Sequence, residues 1–315
     1  MRAYGPVPSR RLGRSLGINH IPPKICTYSC VYCQLGRTIT MRSERREFYP
    51  PEEIVGEVEG QIVKAQERGE RVDYLTFVPD GEPTLDLNLG RMIGLLKPLG
   101  IKIAVISNAS LMWRDDVRRD LLDADWVSMK VDAVTEGLWR GVNRPHKALK
   151  HEVVLEGMKE FADDFKGELA TETMLIRDLN DSASEAEKIA SFLAELRPDK
   201  AYIAIPTRPP AESWVKPADE RALTRTYHIF DGKLRHVEYL IGYEGNAFAF
   251  TGSVEDDLLS ITSVHPMREE SVDKLLSKAD SGWDTVERLI KEDRLVEIEY
   301  QGRKFYMRRL PSRPG

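Results

Sequence analysis

Apolar runs of strand length alternate with helical patterns over the first two thirds of the chain. The runs fall at 15–21, 74–79, 101–108, 126–132, 168–176 and 200–206. They are nearly continuous in apolar residues, as strands covered on both faces are. Between them, Ile54, Val58 and Ile62 recur at helical spacing within 52–69. Residues 89–100 read as a helix stopped near Pro98 and Gly100. Further helical patterns cover 114–123, 147–165 and 184–197, the last opening on the capping-box spacing of Ser184 and Glu187. Six strands alternating with helices predict βαβ units and a parallel sheet. The expected fold is therefore α/β, a partial (βα)6 parallel barrel with too few repeats to close an eightfold one.

The pattern changes after that. Residues 207–220 are proline-rich and irregular, and 221–252 hold a helical pattern followed by short strand-like pieces at 236–243 and 246–250. Helices are predicted over 271–278 and 283–291, then two strands flanking Gln301-Gly302, a hairpin-turn dipeptide. A helical pair followed by a hairpin resembles a winged-helix fold. The expected division is a barrel over 1–220, a connecting segment over 221–256 and a winged-helix-like α+β appendage over 257–315. No internal repeat or low-complexity stretch interrupts it.

A chain of 315 residues can bury a full core without staples. Its three cysteines, Cys26, Cys30 and Cys33, all fall in one eight-residue window, which excludes a disulfide scaffold. The opening residues lack the apolar core of a secretory leader, and no stretch approaches about 18 uninterrupted apolar residues. A cytoplasmic location and no membrane partner are expected. The net charge of −5 hides an asymmetry. Residues 1–46 carry nine basic side chains against the single acid Glu44, a net of +8, while the remainder holds 37 basic and 50 acidic residues, a net of −13. Such a segment is either a solvated entry strand or a positive rim that attracts an anionic substrate.

The cysteines are spaced C-x3-C-x2-C, just after the first predicted strand. Three thiolates offer one ligand fewer than a closed tetrahedral zinc site or a four-cysteine cluster requires. A [4Fe–4S] cluster held by three cysteines leaves one iron open. A Cys3His zinc site through His20 and three unligated thiols are the competing readings. In parallel βα barrels the chemistry sits in loops after the strands, where these thiols fall.

This motif, with Tyr32 before its last cysteine, resembles the signature of the radical S-adenosylmethionine (SAM) superfamily over roughly residues 1–206. The resemblance implies a barrel of that type and a cluster on Cys26, Cys30 and Cys33. The cluster's open iron would chelate SAM and cleave it to methionine and a 5′-deoxyadenosyl radical. Asp80-Gly81-Glu82-Pro83 is similar to the family's Gly-Gly-Glu-Pro motif, which receives the SAM amino group, with Asp80 in place of a glycine. Asn108 after Ser107 on the third strand, and Ser128, Lys130 and Asp132 on the fourth, match positions that face SAM in the family. Tyr32 would pack near the adenine. Glu172, Thr173, Ile205 and Pro206 are weaker matches. Alone, each is as readily an ordinary turn or strand-end cap.

The segment from Tyr4 to Asn19 resembles a subgroup of iron–sulfur oxidoreductases related to the tRNA wyosine-base synthases. Those synthases carry cysteines for a second cluster, which this chain lacks. The same shortage excludes auxiliary-cluster maturases, methylthio-transferases and RNA methylases that relay a methyl through cysteines. One-cluster hydrogen abstraction remains, with a flavodoxin- or ferredoxin-like low-potential electron donor. The expected substrate is a tRNA or RNA base, read from the basic entry segment, the subgroup and the basic end (Arg303, Lys304, Arg308, Arg309, Arg313). A protein or small-molecule substrate is the alternative, and a non-catalytic iron–sulfur or zinc redox regulator a third. No acid, base or radical relay is named. His20 and His146 lie near loops, where a surface role would account for both.

Overall fold

Each apolar run becomes a strand and each helical pattern a helix in a computed structural model that describes residues 2–241 and 248–309. The barrel strands are β1 (Ala3–Ser9) and β2 (Gly13–Ile18), then β5 (Tyr74–Phe77), β6 (Lys102–Ser107), β7 (Trp126–Lys130), β8 (Glu168–Met174), β9 (Lys200–Ala204) and β10 (Val237–Leu240). Two short strands, β3 (Ile25–Cys26) and β4 (Thr40–Met41), pair within the cysteine loop. The helices between strands are α1 (Pro51–Glu67), α2 (Leu89–Leu96), α3 (Asp115–Leu121), α4 (Glu136–Asn143), α5 (His151–Asp164), α6 (Ala183–Leu196) and α7 (Glu220–Asp231).

The sheet order is β1-β2-β5-β6-β7-β8-β9-β10, parallel throughout except for β1 on β2. It holds one parallel strand more than the six legible in the sequence, and an antiparallel edge. Pro6 and Pro8 mask β1, since proline cannot donate to a ladder. The strand-like piece expected at 236–243 becomes β10, which falls outside the six because its four residues, with Glu238 and Tyr239 exposed, make no continuous apolar run. Helix α4 was not anticipated either. Side chains alternate across the sheet. Leu75, Phe77, Ile103, Val105, Val127 and Met129 pack outward under the helices. Thr76, Ile106, Lys130, Glu172 and Ala204 turn into the concave side. Trp126, Tyr202, Leu12 and Leu240 form a second apolar cluster within the barrel.

Among the described residues the edges β1 and β10 do not pair, which leaves the barrel open on one side. Residues 254–308 supply α8 (Val254–Thr262), β11 (Met267–Arg268), α9 (Glu269–Lys278), α10 (Asp284–Lys291), β12 (Leu295–Tyr300) and β13 (Arg303–Arg308). The last two and β11 form a sheet of order β11-β13-β12. Gln301 and Gly302 take φ values of 52° and 69°, the positive pair a tight hairpin requires. Leu258, Val272, Leu275, Val286 and Leu289 build this unit's core, and Tyr4 and Val7 of β1 join it. Residues 242–247 of the strand-like pieces, and Arg313 of the basic end, lie outside the described residues.

The basic entry segment is not a bare positive rim. Arg2 pairs with Glu53 and Glu57, Arg11 with Glu172, Arg14 with Glu70, Arg37 with Glu212, and Arg45 with Asp116 and Asp120. The acidic remainder of the chain folds back on the +8 segment and neutralises much of it. Among the described residues no helix is long and apolar enough to cross a membrane.

Candidate active site

β2 ends at Ile18, and the chain turns through His20 into the cysteine loop. His20 is fully buried, contrary to the surface role its position suggests. Its Nε2 lies 3.2 Å from the Pro83 carbonyl, and its ring stands edge-on to Phe77. Burial drives its pKa down to about 4 against the opposing backbone hydrogen bonds. Cys26, Cys30 and Cys33 are partly buried and free. Each sulfur faces one side-chain N–H donor. Asn108 Nδ2 lies 3.5 Å from Cys26 Sγ, Asn143 Nδ2 3.5 Å from Cys30 Sγ, and Lys24 Nζ 3.6 Å from Cys33 Sγ. Donors favour a thiolate over a neutral thiol. Burial, reinforced by the charge of Glu82, pushes the Cys26 thiol up to about 12. A bound cationic centre supplies the charge that reverses such a shift.

The loop after β5 is sewn to the cysteine strand. Lys24 N donates to Asp80 O at 2.6 Å, and Glu82 N donates to Ile25 O at 3.1 Å. Gly81 runs against Ile25, and a Cβ there would overlap the Ile25 carbonyl. Glu82 is buried, and both its carboxylate oxygens accept hydrogen bonds. Its Oε1 accepts from Thr84 N (3.1 Å), Thr84 Oγ1 (2.6 Å) and Ser107 Oγ (2.7 Å), and its Oε2 accepts from Asn108 N (2.8 Å). The carboxylate thus fixes the ends of β5 and β6 and aims Asn108, whose amide also donates to Thr27 Oγ1 at 2.8 Å. Pro83 is buried, its carbonyl against His20.

A second network closes the end of β7. Asp132 accepts from the Tyr32 hydroxyl, from Asn143 Nδ2 at 2.7 Å and from Met174 N at 2.9 Å. Tyr32 and the donor to Cys30 therefore hang on one carboxylate. Lys130 Nζ sits 5.3 Å over the Tyr32 ring and pairs with Glu172, which also pairs with Arg11. Burial alone would raise Glu172, but Lys130 and Arg11 outweigh it and hold the carboxyl down to about 2. Ser128 is buried on the same strand, one alternation from Lys130. Thr173 is spent on the Val131 carbonyl at 2.9 Å. His146 is spent locally, its Nδ1 accepting from Ala148 N at 3.3 Å.

Inside the barrel lies a cavity of about 320 Å³. Tyr32 and Cys33 bound it, as do the turn carrying Arg10 and Arg11, Ile205 to Arg208 after β9, and Val264 and His265 of the C-terminal unit. Its lining holds four cations (Arg10, Arg11, Lys130, Arg208) against one carboxylate, Glu172. Gln34 ties the walls together, donating to Val264 O at 3.0 Å and accepting from Arg208 at 2.7 Å.

Among the described residues no three His, Cys, Asp or Glu side chains converge on a single-ion site. Zinc needs its ligands around one point, and His20 is engaged elsewhere, so the Cys3His reading loses its geometry. An iron–sulfur cube takes each thiolate on a different iron, and three cysteines of one loop, each with its own N–H donor, fit that larger group. The structure gathers Tyr32, Lys130 and Cys33 at the cavity, and turns the side chains of Glu82 and Asp132 into protein networks. Sequence reasoning missed Lys24, Thr27, Asn143 and Arg11 as parts of the site. Lys24 stands two residues before the first cysteine, which is the one signal that could have found it.

The family model described as Radical SAM superfamily matches residues 21–193. A UPF0026 protein of Methanocaldococcus jannaschii is 50% identical over 314 residues, 99% of this chain and 97% of that one. A Thermotoga protein named as a probable dual-specificity RNA methyltransferase RlmN is 25% identical over 207 residues, 63% of this chain and 57% of its own. The crystal structure of a radical SAM methyltransferase from Sphaerobacter thermophilus superposes with a TM-score of 0.55 at 17% identity, over 71% of this chain and 66% of that one. At that identity the likeness is one of fold.

Proposed function

The chain belongs to the radical SAM superfamily, and from that premise we propose a radical SAM enzyme holding one [4Fe–4S] cluster on Cys26, Cys30 and Cys33 and abstracting hydrogen from an RNA nucleotide. When bound, the cluster supplies the electron that cleaves SAM to methionine and a 5′-deoxyadenosyl radical. The observation that carries this reading is the pairing of one N–H donor with each cysteine sulfur beside a cavity of net positive lining.

The chain's own residues hold and orient. Asn108, Asn143 and Lys24 would each donate to a thiolate once the positive charge of the cluster offsets the burial that favours the thiol. Glu82 and Asp132 act one step back, fixing Asn108, Asn143 and Tyr32. Gly81, Pro83, Tyr32, Ser128 and Lys130 are assigned to SAM, with Lys130 able to exchange Glu172 for the SAM carboxylate. The barrel wall and the C-terminal unit shield the cavity from water, as control of a reactive radical requires.

Four cations around one carboxylate favour an anionic substrate, and a nucleotide is one. With all three cysteines on the cluster no thiol remains to relay a methyl, so hydrogen abstraction is proposed rather than methyl transfer. The C-terminal order helix, strand, two helices and hairpin supports the winged-helix reading. A protein or small-molecule substrate is the second reading. It is favoured by the ion pairing of the basic segment and by α10, whose Arg288 is held by Glu255 and Glu292. A flavodoxin- or ferredoxin-like donor is proposed for the electron.

Anaerobically reconstituted protein with dithionite is expected to convert SAM to 5′-deoxyadenosine and to retain bulk tRNA less as salt rises. Absence of SAM turnover in protein with a full cluster overturns the enzyme reading. Retention indifferent to salt overturns the RNA substrate and leaves the second reading.

A further inference from the structure

We propose that Lys24 is the charge-compensating residue of the cluster held at Cys33, and that Asp80 sets how much of its positive charge reaches that cluster. The proposal rests on the assignment of Cys26, Cys30 and Cys33 as cluster ligands.

Of the three donors to sulfur, two are neutral amides and one is a cation. Lys24 is only 4% exposed, and lysine is almost never buried without a partner. Its Nζ donates to the Gly36 carbonyl at 2.7 Å, lies 3.6 Å from Cys33 Sγ, and stands 4.0 Å from Asp80 Oδ1. Two protons of the ammonium thus have acceptors, and Asp80 stands beyond hydrogen-bond reach as a neighbouring charge. The backbone of Lys24 is left-handed, with φ of 60°, a conformation that glycine adopts at least cost. Contacts on both sides hold it there: its N–H donates to Asp80 O, and its carbonyl accepts from Ile39 N and Thr40 N. A lysine in a position suited to glycine points to a use for its side chain.

Asp80 is the complement. It is 0% exposed, neither carboxylate oxygen accepts a hydrogen bond among the described residues, and burial pushes its carboxyl up to about 7 against the pull of Lys24. Its attractions are to Lys24 and, from β13, to Arg308. A buried carboxylate without hydrogen bonds is costly, so its place beside an equally buried ammonium balances charge across the loop. Uptake of one electron from dithionite adds one negative charge beside Cys33 and moves no proton or bond. A cation 3.6 Å from that sulfur stabilises the added charge, and Asp80, in its charged form behind the cation, weakens the effect.

The test is a potentiometric titration of reconstituted wild type, Lys24→Met and Asp80→Asn, followed by electron paramagnetic resonance, with iron measured per chain. At equal iron content the Lys24→Met midpoint is expected to be more negative than wild type and the Asp80→Asn midpoint less negative. Lys24→Arg is expected to return most of the shift. Equal midpoints for Lys24→Met and wild type, or an Asp80→Asn shift in the same direction as Lys24→Met, overturn the proposal. Should Lys24→Met fail to fold, the near-isosteric Asp80→Asn decides by the sign of its shift, and no positive shift refutes. Wild type that binds no four-iron cluster overturns the ligand assignment instead, a distinct result read from the iron count.

Discussion

Gly81 lies so close to Ile25 that a Cβ on it would sit 2.0 Å from the Ile25 carbonyl oxygen. The same carbonyl accepts from Glu82 N, so the loop after β5 and the first cysteine strand meet in close contact at this point. Gly81→Ala must push that strand, and Cys26 with it, away from Asn108. The expected cost is about 2 kcal/mol of stability, in the range of other overpacking changes. Iron bound per chain after anaerobic reconstitution should fall well below wild type while helical content is kept. A variant with full iron and an unchanged melting temperature would show that the contact does not position the cysteines.

Arg45 braces the other side of this loop. Its side chain is 3% exposed, and it donates to Thr84 O at 2.9 Å and Asp86 O at 2.7 Å while pairing with Asp116 and Asp120 of α3. Arg45→Met strips the Thr84 carbonyl and the Asp120 carboxylate of this donor, while Leu89 N still donates to Asp86 O and Arg114 still pairs with Asp116. A loss of about 3 kcal/mol is expected, the scale of breaking a buried ion pair from one side. Arg45→Lys should recover little, because one ammonium cannot reproduce a planar fork with five donors. Urea unfolding of the three proteins measures both statements.

The barrel was legible because its strands are apolar on both faces, and Leu75, Val105 and Val127 need no tertiary knowledge to be read as strand. The cysteine motif was legible because three reactive side chains fall in one window. The partners of those cysteines were not, since Asn143 is 113 residues from Cys30 and Asn108 is 82 from Cys26. Nothing in local pattern links them until the sheet brings β3, β6 and α4 together. The charge asymmetry misled for the same reason. Arg11 and Glu172 are 161 residues apart in sequence, and only the fold reveals that they neutralise one another.

Glu172 makes its own acid limb of stability. Its carboxyl is held down to about 2 in the folded chain, because Lys130 and Arg11 outweigh burial, against an ordinary value of 4.5. The folded state holds the charged form more tightly, so the contribution is fully present above about pH 4.5 and is lost as pH falls towards about 2. The shift corresponds to about 3 kcal/mol. Glu172→Gln is expected to lose stability of that order at neutral pH and to show a shallower decline across this window. Equal slopes for the two proteins in urea titrations would remove Glu172 from the account.

His20 acts in a higher window and through the opposite chemistry. Burial against Phe77 favours the neutral ring and lowers its pKa from 6.5 to about 4. As pH drops below about 6.5 the unfolded chain takes up a proton that the folded chain refuses until about pH 4. Stability therefore falls across that interval and levels off below it, by about 3 kcal/mol in total. His20→Gln keeps a donor for the Pro83 carbonyl and cannot titrate. Its stability relative to wild type should rise by that amount between about pH 7 and pH 4, with both proteins at the same cluster loading. The Pro83 carbonyl belongs to the loop assigned to SAM, so acid should also weaken SAM binding in wild type before it does so in the variant. Parallel pH curves for the two proteins would mean that His20 stays uncharged in both states, or reaches solvent when folded.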